Sequence, residues 1–343
     1  VTEDGSPAVA GALDHEALCE TGDGAPLGIE RSGDDLLLLY TGGTTGMPKG
    51  VMWRQDDHWH AGSAGATPAT DMVPPASLAD HVENVRRAGG GGRLLPCCPQ
   101  MHGTGLFTSI GALAAGGSVV TLEGHGFDAA ECLEAVTRWQ VNTLAIVGDA
   151  FAKPILRELE ANGNRYDLGS VVVMISSGVM WSMEVKQGLL RHHPAMVLTD
   201  SFGASEAVGF GRSDTTAEGT VQTARFVLGE HCKVFTEDLR EVKPGDPEPG
   251  FIARGGAIPL GYYKDEEKTR KTFPIIDGQR WSMPGDWVRV EADGGLVLLG
   301  RGSVCINTAG EKVYPEEVEE VLKAHPDVDD ALVVGVPDEQ WGQ

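Results

Sequence analysis

Leu36-Leu37-Leu38-Leu39-Tyr40-Thr41-Gly42-Gly43-Thr44-Thr45-Gly46-Met47-Pro48-Lys49-Gly50 decides how this 343-residue chain is read. The apolar run Leu36–Tyr40 predicts a buried strand that delivers the chain straight into a glycine loop. Glycines let backbone N–H groups turn toward an anion. Threonine hydroxyls add donors, and Lys49 adds a point charge. Together they are what a polyphosphate requires of a loop. The pattern is not the G-x-x-x-x-G-K-[ST] loop of P-loop NTPases. Pro48 precedes Lys49 and Gly50 follows it, so the hydroxyl that would hold magnesium is missing from its place.

Downstream of this loop, strand and helix patterns alternate. Strands are predicted at Arg93–Cys97, Ser118–Leu122, Thr143–Val147, Val171–Ser176 and Met196–Thr199. Helices are predicted at Leu106–Ala115, Ala129–Trp139, Phe151–Ala161 and Met183–His192. Such alternation predicts an α/β fold with parallel strands covered by helices on both faces. After Phe202 the strands become short and are parted by Gly and Pro turns: Arg225–Leu228, Cys232–Phe235, Phe251–Arg254, Trp287–Val290 and Leu296–Leu299. They predict an antiparallel, β-rich subdomain. Beyond Arg301 a helix is expected at Pro315–Ala324, with Pro in its first turn, and a strand at Ala331–Val336. The expected units are 1–213, 214–301 and 302–343. Upstream, residues 1–33 predict a loop with a short helix. His58–Gly92 reads as a surface excursion holding a helix at Leu78–Ala88.

Composition bounds the partners. Charged residues are 22% and hydrophobic residues 41%, as in ordinary globular proteins. The 47 glycines are roughly twice average usage and fit a chain rich in turns and binding loops. A formal charge of −23 repels nucleic acid and anionic lipid. Any polyanionic ligand must therefore meet a locally positive or backbone-lined site. None of the six cysteines forms a C-x-x-C pair, so no zinc site is expected, and reduced thiols in a cytoplasmic protein are. No apolar run is long enough to span a membrane, and no signal peptide is seen. The start at Val1, not Met, reads as a missing natural N-terminus.

Three further segments, taken with Thr41–Gly50, resemble the adenylate-forming superfamily of acyl-CoA synthetases, luciferases and peptide-synthetase adenylation domains. Asp200-Ser201-Phe202-Gly203-Ala204-Ser205-Glu206 is similar to its aromatic-Gly-x-Thr-Glu motif. Gly285-Asp286-Trp287 is similar to its Gly-Asp motif. The segment from Gly300-Arg301 to Val318-Glu319 resembles the hinge before a small mobile C-terminal α+β domain. Pro96–Gly105 and Ser176–Met180 match weaker family segments.

The resemblance, which covers the chain from about Asp34 onward, implies roles. Thr41, Gly42, Gly43, Thr44, Thr45, Gly46 and Lys49 would hold ATP phosphates, with Thr45 and Lys49 acting in catalysis. Ser177 and Gly178 would flank adenine, and Phe202 would stack on it within the nucleotide-binding run Asp200, Ser201, Phe202, Gly203. Ser205 would donate to a phosphate oxygen and Glu206 would bind Mg2+. Asp286 would accept the ribose hydroxyls and Arg301 would contact ribose or phosphate. His102 and Gly103 would line the carboxylate end of the acid pocket, and Gly310 would face the pantetheine of CoA. Ser303 stands where the family's hinge residue is Asp or Lys, and Gly302 offers the flexibility instead.

The implied reaction is ATP-dependent conversion of a carboxylic acid to acyl-AMP and then to acyl-CoA. His102-Gly103-Thr104 has no acid nearby to hold an α-ammonium, which favours an acid without an amine. Tyr40–Gln55 and Gly300–Glu319 look most like fatty-acid and steroid-side-chain CoA ligases. The family's N-terminal subdomain and its late catalytic lysine find no counterpart in these residues. Poor nucleotide binding and slow adenylation by this chain are therefore expected. An amino-acid adenylation module and a non-catalytic acyl-adenylate-binding remnant remain open.

Overall fold

The computed structural model describes residues 11, 13–25, 28–43, 46–62, 75–124, 126–179, 181–219, 225–301, 306–308, 311–313, 315–323, 325, 328 and 331–336. A short helix α1 (His15–Glu20) precedes a hairpin of β1 (Leu36–Gly43) and β2 (Gly46–Arg54). Helices α2 (Gln55–Ala61) and α3 (Leu78–Arg87) follow. The hairpin corrects two expectations. Residues 46–50, read as loop, belong to a strand. Leu36–Tyr40 is not a buried strand: Leu39 is 3% exposed, whereas Leu36, Leu38 and Tyr40 lie open. Successive side chains of a strand point to opposite faces, and only the Leu39 face is covered.

The alternating region next gives β3 (Arg93–Pro96), α4 (Gly103–Ala114), β4 (Ser118–Val119), α5 (Ala129–Trp139), β5 (Thr143–Ile146), α6 (Asp149–Asn162), β6 (Val173–Ser177), α7 (Met183–His192) and β7 (Val197–Ala204). Strands β3 to β7 pair in parallel. Asp128 caps α5, its Oδ1 accepting from the N–H of Glu131 at 2.8 Å. α5 buries Cys132, Leu133 and Val136, at the spacing of one helix face. They join Leu144, Ile146, Ile155, Leu189 and Leu198 in the largest core. β4 is two residues, not the five expected. α4 starts at Gly103, three residues before Leu106, because His102 caps it: Nδ1 accepts from the N–H of Thr104 at 3.3 Å.

The remaining elements are β8 (Ala207–Thr215), β9 (Arg225–Leu228), β10 (Cys232–Phe235), β11 (Gly250–Arg254), β12 (Gly261–Tyr262), α8 (Glu266–Thr272), β13 (Ile275–Ile276), β14 (Gln279–Arg280), β15 (Asp286–Val290), β16 (Gly295–Arg301), β17 (Ile306–Thr308), β18 (Glu311–Val313) and α9 (Pro315–Lys323). The antiparallel strands continue the parallel sheet instead of building their own. One 11-stranded sheet runs β10-β11-β15-β16-β9-β8-β7-β6-β5-β3-β4, and the pairing turns antiparallel at β7–β8. Composition marks the change of strand style but not the partner each strand finds. A separate three-stranded sheet holds β1-β2-β12. Ala331–Val336, expected as a strand, has no regular structure; no described strand pairs with it. Among the described residues no helix is long and apolar enough to cross a membrane.

Candidate active site

Several of the expected site residues gather where the small sheet meets the point at which the large sheet changes direction. Ala204 of β7 pairs with Ala207 of β8, so Ser205 and Glu206 are the two residues of a hairpin turn. A turn normally faces water, yet Glu206 is only 8% exposed. The hairpin of β1 and β2 packs over it. The Trp53 indole N–H of β2 donates to the Ser205 carbonyl at 2.9 Å. Ser282 Oγ donates to the Glu206 carbonyl at 2.7 Å. The Glu206 side chain accepts from the Tyr262 hydroxyl, Oη to Oε1, at 2.6 Å.

Tyr262 is held from several sides. Its backbone pairs with Val51, putting β12 alongside β2, and its N–H donates to Thr269 Oγ1 at 2.9 Å. The Lys49 ammonium lies 5.7 Å from the Tyr262 ring centroid and 3.7 Å from Asp265 Oδ2. The other Asp265 oxygen caps α8, accepting from the N–H of Lys268 at 3.0 Å. Lys49, Ser205 and Glu206, which the sequence analysis assigns to one nucleotide site, are thus linked through Tyr262 and Trp53.

His102 and Gly103 reach the same place from the start of α4. A side-chain carbon on Gly103 would sit 3.7 Å from Ser205 Oγ and 3.4 Å from Leu39. Gly178 has φ +96°, and a side-chain carbon there would lie 3.7 Å from His102 Cε1. Register puts Ser177 beside Ser201 and Ser176 beside Asp200 at the C-terminal ends of β6 and β7. Open parallel sheets bind ligands outside these strand ends. Gly203 lies in the irregular pairing of β7 with β8 between Phe202 and Ala204.

Other expected site residues are placed differently. The Phe202 ring is 7% exposed and packs on Phe210 and Phe226, with centroids at 5.3 and 5.2 Å. Asp200 is bound by Lys186, which is 2% exposed and lies 5.5 Å from the Trp181 ring centroid. Burial raises the Asp200 carboxyl above its ordinary range, and the Lys186 ammonium partly opposes that rise. Asp286 is buried, opens β15 four residues after Ser282, and pairs in register with Arg301. Thr41, Gly42, Gly43 and Gly46 lie in the facing strands of the first hairpin. Thr44, Thr45, Gly310 and the Arg301 side chain lie outside the described residues, as do 302–305.

Tyr262, Asp265, Trp53 and Ser282 are not among the residues expected at this place. Asp265 alone carried a local signal, a capping Asp before Glu266-Glu267. The Tyr262 contact spans 56 residues and left no pattern to find.

No group of three or more His, Cys, Asp or Glu among the described residues is arranged to hold a metal ion. Among the described residues a divalent cation fits only where another molecule supplies most of its ligands. Mg2+ carried on nucleotide phosphates would need one carboxylate from the protein, which Glu206 could supply.

The profile of the AMP-binding enzyme family matches residues 3–263, and that of the AMP-binding enzyme C-terminal domain matches 317–343. Over 320 residues the chain is 45% identical to a medium/long-chain-fatty-acid–CoA/3-oxocholest-4-en-26-oate–CoA ligase of Mycolicibacterium smegmatis, covering 91% of this chain and 57% of that one. It is 41% identical to a 3-oxocholest-4-en-26-oate–CoA ligase of Rhodococcus rhodochrous, covering 100% of this chain and 62% of the relative. The chain therefore spans about 57–62% of the length of these curated relatives. Among solved structures, the anthranilate CoA ligase AuaEII with anthranoyl-AMP superposes at TM-score 0.76 and 19% identity, over 97% of this chain and 60% of that one. ATP-bound MatB from Rhodopseudomonas palustris does so at 0.71 and 24%, over 93% and 58%. These two likenesses concern the fold.

Proposed function

Because this chain belongs to the AMP-binding enzyme family, we propose that its site serves ATP-dependent acyl-CoA synthesis on a fatty or steroid-side-chain acid. In the first step a carboxylate oxygen bonds to the α-phosphorus of ATP and the bond to pyrophosphate breaks. Acyl-AMP and pyrophosphate result. In the second step the CoA thiol, losing its proton, bonds to the acyl carbon, and AMP leaves with the electron pair of the broken anhydride.

The observation that carries this reading is the convergence of Lys49, Ser205 and Glu206 beside the start of α4. Lys49 offers positive charge to the polyphosphate, and Ser205 offers a hydroxyl. Glu206 offers the one carboxylate that Mg2+ needs when phosphate oxygens supply the rest; bound Mg2+ would neutralise phosphate charge. His102 and Gly103 border the acid, Gly103 leaving the space that a side chain would take from Ser205. Asp286 holds the ribose hydroxyls, and the family resemblance assigns Gly310 to the CoA arm. The acid's identity is supported by the relatives' named substrates and by the lack of an acidic residue near His102.

Calorimetric titration with non-hydrolysable acyl-adenylate mimics tests the proposal. A fatty-acyl mimic, which needs the nucleotide site but not the late lysine, is expected to bind, more tightly than ATP, and an aminoacyl mimic is not. Asp286→Ala should weaken the fatty-acyl mimic at least about tenfold, since hydrogen bonds to a charged acceptor contribute roughly 1.5–3 kcal/mol each. Preference for the aminoacyl mimic would replace the acid class. Equal affinity in a folded Asp286→Ala chain would remove Asp286 from the site.

A further inference from the structure

Glu206 and Asp200 are six residues apart on one β-hairpin, and both are largely buried. Asp200 is neutralised by an ammonium. Glu206 is satisfied at Oε1 by a phenol, and among the described residues no lysine or arginine pairs with it. A buried carboxylate needs hydrogen bonds to remain there at all. A neutral donor supplies one without cancelling the negative charge. It also fixes the plane of the carboxylate and assigns one oxygen to the protein.

The phenol is itself immobilised. Tyr262 is 4% exposed, is paired through its backbone to the strand that carries Lys49, and meets Phe273 edge-on with centroids 5.9 Å apart. Any shift of the β1–β2 hairpin therefore moves the hydroxyl that aims Glu206. We infer that Tyr262 is a positioning residue that holds Glu206 oriented for a divalent cation carried on nucleotide phosphates, and that ties this orientation to the phosphate loop. The inference rests on the nucleotide reading above and adds to it a residue and a reason for the metal dependence.

Tyr262→Phe keeps the ring and removes the hydroxyl. The 343-residue chain and this variant would be titrated with a methylene-bridged ATP analogue over a series of Mg2+ concentrations, and separately with the metal-free fatty-acyl mimic. The Mg2+ concentration for half-maximal binding of the ATP analogue is expected to rise about tenfold, the scale of one hydrogen bond to a charged group. Affinity for the metal-free mimic should change less than about twofold. An unchanged Mg2+ requirement overturns the inference while leaving the nucleotide reading in place. So does an equal loss for both ligands, which marks Tyr262 as packing alone. Failure of the unmodified chain to bind either ligand overturns both readings.

If Tyr262→Phe does not fold, the unmodified chain labelled with 3-fluorotyrosine reads the same contact. Its five tyrosines allow Tyr262 to be assigned by placing Phe at the other four. The Tyr262 signal must move when Mg2+ joins the ATP analogue. A signal that stays fixed excludes the contact from metal binding.

Discussion

The parallel half of the large sheet and the corner where the small sheet packs on it treat a buried carboxylate in opposite ways. In the parallel half, Asp200 has a full counter-charge in Lys186, itself under the Trp181 ring. At the corner, Glu206 has a phenol and, among the described residues, no lysine or arginine, while Lys49, 5.7 Å from the centre of that phenol ring, leans on the half-exposed Asp265. A closed ion pair has spent its charge on itself. A carboxylate held by a neutral donor still has charge to offer, and a lysine on a partly solvated partner can be drawn away. On the proposed reading, the difference separates a structural carboxylate from a ligand-binding one, although both lie within one sequence motif.

The sharpest way to break this comparison is Lys186→Met. Removing one member of a buried pair leaves an uncompensated charge and should cost roughly 3–5 kcal/mol of stability in urea unfolding. Adding Asp200→Leu should restore much of that. If Lys186→Met instead leaves stability intact and weakens nucleotide binding, Asp200 belongs with the site. Glu206→Gln should do the reverse. It keeps an acceptor for Tyr262, so stability should fall by no more than about 1 kcal/mol, while Mg·ATP-analogue affinity drops at least about tenfold in calorimetry.

The smallest effect sharpens the premise that the parallel half is dry. Cys97 lies there, 3.7 Å from the Cys132 sulfur. The hydrogen bond with Cys132, together with burial, raises its thiol well above the ordinary value, and burial raises Cys98. Cys232, in the antiparallel half, is pushed up to about 11. A folded-state thiolate is thus scarce at neutral pH for all three, whereas Cys19 is exposed. Iodoacetamide at pH 7.5, read by peptide mass, should label Cys19 and spare Cys97, Cys98 and Cys232. Labelling of Cys97 at the rate of Cys19 would show water in the core and undercut the argument for Lys186.

The two regions also differ in how much of them the sequence made legible. α5 and α7 have the bounds that periodicity predicts, because each presents one apolar stripe to one core. At the corner, the sequence carries an expected chemistry but not the geometry. The Gly/Thr loop raises the expectation of an anion site, but strand β2 is hidden by its Gly, Pro and Lys. α8, Glu266–Thr272, carries no apolar stripe at all. The placement of Lys49, Ser205 and Glu206 together was expected from resemblance. Tyr262, which links them, was not, because its partners are distant in sequence and its own surroundings resemble an ordinary turn.

The two-residue turn Ser205-Glu206 has a consequence for how this chain can change over generations. Side chains of a strand alternate with period two, so one inserted or deleted residue swings everything after it to the opposite face. In a turn this short there is no slack to absorb such a change. Lengthening it by one would carry Glu206 away from Tyr262, or turn the core-facing residues of β8 outward, Phe210 among them. Surface loops elsewhere can grow or shrink at little cost. Here the count of residues is itself under constraint, and descent can exchange letters at this corner far more easily than it can add or remove one.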